Sequence, residues 1–128
     1  VRRVLEPELA YIAASTATEE DIVQIKKAYE GMEKAATVED FIQPDIDFHL
    51  SIAKATHNDL LAYMSKMLVL PLQQSIQVTS HRPNLQSHSL PRHKAILTAI
   101  ENKDPLSARH ASLVQLDDTK MAYNLIKK

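Results

Sequence analysis

Residues 44–58, PDIDFHLSIAKATHN, read as an amphipathic helix whose inner face carries two ionisable groups. Asp45 and His49 lie four apart, so on a helix they project from one side, one turn above the other. Extended back to Phe41, the set Phe41, Asp45, Phe48, His49 and Ile52 keeps the three-and-four spacing of a core-facing stripe. Burying a carboxylate is costly unless it is paired or bound to a cation, so this helix asks for a partner.

The rest of the chain follows the same helical period. One glycine in 128 residues argues for long helices with few tight turns, and no segment sustains a strand-like alternation. A first helix is expected over about Arg3–Ser15, with Leu5, Leu9, Ile12 and Ala13 inward. Thr18-Glu19-Glu20-Asp21 resembles a capping box and opens a second helix carrying Ile22, Ile25, Ala28, Tyr29 and Met32. Thr37-Val38-Glu39-Asp40 repeats that signal before the opening stretch, which should end near His57-Asn58. Asn58 is a good N-cap for a fourth helix with Leu60, Leu61, Met64, Met67 and Leu68 on its apolar side. Pro71 predicts a kink or brief break, since apolar spacing resumes at Leu72 and Ile76. SHRPNLQSHSLP, residues 80–91, reads as the one clear loop. A fifth helix is expected from Ser89 or Leu90, with Pro91 in its first turn and His93, Ile96, Leu97 and Ile100 inward. Asp104-Pro105 pairs an N-cap with an N1 proline and opens a last helix to about Ile126. The expectation is one all-α domain, an antiparallel bundle of six or seven helices.

Composition bounds the function. A formal charge of −1 gives no basic footprint for nucleic acid. The absence of cysteine rules out disulfides and thiolate metal sites and is compatible with a cytoplasmic protein. No apolar run reaches the length needed to span a bilayer, so no membrane partner is expected. No nucleophile–histidine–acid pattern or phosphate-cradling glycine loop is present, and no enzyme is expected. The chain begins VRRVLEPELAYIAAS, without methionine and already helical in pattern, which leads us to expect a preceding segment.

His93 is the second ionisable residue in an inward position. Taken singly, His93 and the Asp45–His49 pair read more readily as hydrogen-bonded core residues than as ligands. Together they offer one oxygen and two nitrogens, a ligand set for a divalent metal such as zinc, nickel or manganese. The other histidines carry less. His57 falls at a helix end, where a cation suits the dipole; His81 and His88 lie in the 80–91 loop, and His110 should point outward. His81 and Arg82 remain candidate effector contacts because loops carry such contacts. Arg2 or Arg3 would bind a carboxylate if turned inward; the alternative is a surface pair with Glu6.

Three blocks, VRRVLEPELAYIAASTATEEDI, DIDFHLSIAKATHNDLL and RHKAILTAIENKDPLSARHASLVQL, together resemble the FCD domain. That is the C-terminal effector-binding domain of FadR-subfamily, GntR-type bacterial transcription regulators. The resemblance implies a bundle of six or seven helices that forms a homodimer and follows a winged helix-turn-helix that binds operator DNA. It also implies a divalent metal at the bundle centre, with a small hydroxy- or keto-acid effector at or near it. The family's metal set is an aspartate, a histidine four residues later and two further histidines on the last two helices. Asp45, His49 and His93 match the first three, while Gln115 stands where the last histidine is expected. A glutamine oxygen is a weaker, harder ligand than imidazole. The resemblance therefore leaves open a metal held by three residues plus water, a loosely held metal, or a metal-free pocket in which Gln115 bonds the effector. A pure dimerisation module is a further alternative.

Overall fold

A computed structural model describes residues 2–68 and 85–127, with side chains described up to 68 and from 89 to 117. Among the described residues the chain forms six helices and no strand: α1 (Arg2–Thr16), α2 (Glu19–Lys34), α3 (Val38–Lys54), α4 (Asp59–Met67), α5 (Leu85–Glu101) and α6 (Pro105–Lys127). The all-helical expectation is met. Pro71, Leu72 and Ile76, where a kink and resumed apolar spacing are expected, lie outside the described residues; α4 closes at Met67, before them.

The start signals act as their chemistry predicts. Thr18 Oγ1 accepts the Asp21 N–H at 3.1 Å while the Asp21 carboxylate accepts the Thr18 N–H at 2.9 Å, a reciprocal capping box. Thr37 caps α3 through the Asp40 N–H, and Asn58 caps α4 through the Leu61 N–H. Asp104 Oδ1 accepts the Ser107 N–H at the head of α6, with Pro105 as the first helical residue.

The stops differ from expectation because no glycine marks them. The α3 helix ends at Lys54, and His57 takes a left-handed φ of 56° three residues on. At the end of α5, Lys103 (φ 53°) donates its N–H to Ile100 O and Asp104 donates to Ala99 O, the paired bonds of a Schellman motif. Asp104 therefore closes α5 and caps α6, which fixes the hinge between them. The start of α5 is a correction: it opens at Leu85, so Pro91 lies inside it and the expected 80–91 loop is partly helix. Pro7 and Pro44 likewise sit inside α1 and α3. A proline ring fits helical φ and costs one intrahelical bond. Downstream burial of His93, Ile96, Leu97 and Ile100, each 1% exposed or less, holds α5 in place.

The core gathers Phe41, Phe48, Ile25, Met32, Ile96, Leu97 and Ile100 with the small face Ala10, Ala13 and Ala14 of α1. Leu9 and Ala13 are buried as expected, while Ala10 and Ala14 join them in place of the half-buried Ile12, and these alanines permit close approach of the neighbouring helices. The α1 helix packs on α6, α5 and α3, and α2 packs on α3 and α5. The α4 helix breaks the expected pattern. It rests mainly on α3 through its Leu61 and Ser65 side, and Leu60, Met64 and Met67 face outward.

Candidate metal centre

Helices α3 and α5 supply the centre. Asp45 and His49 stand one turn apart on α3, below Pro44, and His93 faces them from α5. All three are buried, at 6%, 8% and 1% exposure. One ligand atom from each lies within 4.8 Å of the others. Phe48, fully buried, sets its ring edge-on to both imidazoles, with centroids 5.6 Å from His49 and 5.0 Å from His93. That wall excludes water from one side and limits how far either ring can turn.

Hydrogen bonding decides what the imidazoles present. His93 Nδ1 lies 2.9 Å from the Ser89 carbonyl oxygen and 3.1 Å from Ser89 Oγ; as a donor to that carbonyl, which can only accept, this nitrogen carries hydrogen. His49 Nδ1 lies 3.0 Å from Glu6 Oε1. Burial opposes the Glu6 charge, but His49 and Arg2 outweigh it and hold its carboxyl down to about 2, so it too accepts. With both outer nitrogens donating, both Nε2 atoms turn inward on a single atom. Asp45 Oδ1 is 2.9 Å from His93 Nε2 and 3.2 Å from His49 Nε2.

A neutral imidazole in this tautomer would aim a lone pair at a carboxylate oxygen, acceptor against acceptor. Each Nε2 therefore requires a proton or a shared cation. Without a cation, protonated His49 answers that demand at its own nitrogen. Burial opposes charge on His49, yet Glu6 and Asp45 raise its pKa to about 9. Burial likewise opposes charge on Asp45, while His93 and His49 hold its carboxyl well below the usual range. One divalent ion would satisfy both inward nitrogens at once, and two nitrogens and one carboxylate oxygen suit such an ion. The residues present fit a metal.

The remaining candidates are distributed unevenly. Arg2 Nε lies 2.5 Å from Glu6 Oε2, so it pairs at i,i+4 with a residue that itself reaches the centre. Arg3 is surface-exposed and pairs with Asp117 on α6. Gln115 is buried on α6, which packs against α1 and α5. His57 bonds Asp21 Oδ2 at 2.7 Å and ties the end of α3 to the start of α2. His110 is exposed, as expected. His81 and Arg82 lie outside the described residues. Glu6 and Ser89 were not among the sequence candidates. The Ser89–His93 spacing of four was available as a signal, whereas the contact of Glu6 with α3 has no local one.

Comparisons with known proteins bear on the same residues. The FCD domain model matches residues 1–118. The Uxu operon transcriptional regulator of Escherichia coli K12 is 37% identical, over 93% of this chain and 49% of its own length. The Glc operon transcriptional activator of that strain is 30% identical, over 88% of this chain and 48% of its own. The solved structure of Streptococcus agalactiae GntR superposes with a TM-score of 0.78 at 24% identity, covering 94% of this chain and 55% of that one, a likeness of fold. The chain spans about half the length of the curated relatives it matches.

Proposed function

The chain belongs to the FCD domain family, and from that premise we propose that it is the ligand-sensing, dimer-forming domain of a GntR-type transcription regulator of the FadR subfamily. Its ligand is a small hydroxy- or keto-carboxylate that binds at or near a divalent metal. Asp45, His49 and His93 hold that metal, and Gln115 completes or flanks the set. The observation that carries this reading is the convergence of both histidine Nε2 atoms on Asp45 Oδ1.

When bound, a metal with only three protein ligands supplies open positions for a carboxylate. The chain's own groups do the rest. The Asp45 carboxylate offsets positive charge, Phe48 keeps the rings oriented, and Arg2 provides a counter-charge beside Glu6. An effector that prefers one arrangement of α1, α3 and α5 shifts the population toward it, which is how a sensing domain alters DNA affinity. Operator binding itself is assigned to a winged helix-turn-helix outside this chain. The relatives named above are operon regulators rather than enzymes, in line with a non-catalytic role. The outward stripe of Leu60, Tyr63, Met64 and Met67 on α4 supports a homodimer.

Thermal unfolding of chelator-treated protein tests the reading. Zinc, nickel or manganese should raise the midpoint, and small hydroxy- or keto-acids should raise it further only in metal-loaded protein. A ligand at a hundred times its Kd adds about 2.7 kcal/mol. Equal stabilisation by acids without metal would favour the second reading, a metal-free pocket. That reading draws on the pairing of protonated His49 with Glu6 and Asp45, with Arg2 supplying a second positive charge at Glu6. No stabilisation by metal or acid would leave a dimerisation module.

A further inference from the structure

We propose that Glu6 is a positioning residue of the centre: it accepts the Nδ1 hydrogen of His49 and thereby aims the Nε2 lone pair at the point shared with Asp45 and His93. The inference rests on the metal reading above and adds a residue, and a helix, to it. His49 Nδ1 and Glu6 Oε1 are 3.0 Å apart, with side chains 8% and 12% exposed. Glu6 stands on α1 and His49 on α3, so the contact is made by packing and not by helical spacing.

An ordinary surface pair of Arg2 with Glu6 does not account for this placement. Arg2 Nε engages Oε2, and the other oxygen, Oε1, is turned inward onto the imidazole. Both oxygens of a nearly buried carboxylate are thus committed, one to a guanidinium that orients it and one to the ring it orients. The two histidines differ in this respect. His93 rests its outer nitrogen on Ser89 of its own helix, a neutral carbonyl, whereas His49 has an anionic acceptor from another element. A carboxylate in that position fixes the tautomer and makes the far nitrogen a stronger donor to a cation. It also makes His49 the point at which α1 senses the centre.

Imidazole 15N NMR on the chain and its Glu6→Gln variant tests this, with zinc affinity measured by competition against a chromophoric chelator. In metal-free wild type the His49 Nδ1–H signal should be protected from exchange; in the variant it should be lost or moved, with the ring in mixed tautomers. Zinc affinity should fall about 10–100-fold while helical content is retained. An unchanged His49 Nδ1–H signal in the variant, or zinc affinity within about twofold of wild type, would overturn the role of Glu6. Wild type that binds no zinc sinks the metal reading, and the metal-free comparison still decides on Glu6. If the variant fails to fold, zinc-loaded wild type decides: Nδ1 protonated supports the assignment, and metal on Nδ1 overturns it.

Discussion

His93 Nε2 lies 2.9 Å from Asp45 Oδ1, a buried contact that joins α5 to α3 across 48 residues of sequence. Neither group would be sequestered alone. Removing His93 takes away one of the two imidazoles on Asp45 Oδ1, leaving His49 at 3.2 Å as the other, and deprives any metal of one nitrogen. His93→Ala should therefore lower the unfolding free energy of the metal-free protein by about 1–3 kcal/mol, measured by urea denaturation. It should also abolish zinc binding. A variant as stable as wild type with full metal content would show that His93 stands outside the centre.

The metal-free protein should have a stability plateau between about pH 4.5 and 6.5. Glu6 is lowered from 4.5 to about 2, so its contribution is present above 4.5 and is lost as pH falls toward 2. His49 is raised from 6.5 to about 9, so its contribution is complete below 6.5 and is lost as pH rises through 9. Metal ligation requires the unprotonated imidazole. Zinc should therefore remove the high-pH decline, and zinc affinity should rise with pH. Unfolding midpoints from pH 3 to 10, with and without zinc, check both limbs.

The legible parts of this molecule were those written in local chemistry. Thr18, Thr37, Asn58 and Asp104 marked four helix starts because a short oxygen-bearing side chain reaches an N–H two or three residues on. Asp45, His49 and His93 stood out because ionisable groups broke apolar stripes. Helix ends were harder: the left-handed positions belong to His57 and Lys103, which do not announce themselves as glycine does. The outward turn of α4 was also hidden, since spacing identifies an apolar stripe but not what it faces. Glu6 was seen as the partner of Arg2 and not of His49, because only the packing of α1 against α3 brings them together.

The only glycine should prove structural. A Cβ at Gly31 would lie 3.1 Å from Pro44 Cβ and 3.2 Å from Cγ, in the contact between α2 and α3. The proline ring belongs to the helix backbone and cannot swing aside. Gly31→Ala gains about 1 kcal/mol of helix propensity against an overpacking cost of about 1–3 kcal/mol. A net loss of about 1 kcal/mol is expected by urea denaturation. Because Pro44 precedes Asp45, zinc affinity should weaken as well.

Leu60, Tyr63, Met64 and Met67, 40–66% exposed, form a stripe at i, i+3, i+4 and i+7 on α4. If a homodimer covers it, Tyr63→Lys with Met67→Lys should shift the chain to monomer in sedimentation equilibrium. Zinc affinity per chain should stay unchanged, because Asp45, His49 and His93 lie on other helices. A double variant that dimerises like wild type would assign the interface to another face.

The most direct measurement is anomalous X-ray scattering at the zinc edge from crystals of the zinc-loaded chain. The account predicts one strong anomalous peak bonded to Asp45 Oδ1 and the Nε2 atoms of His49 and His93. No peak between these three atoms, with zinc only at surface positions or on Nδ1, would contradict it.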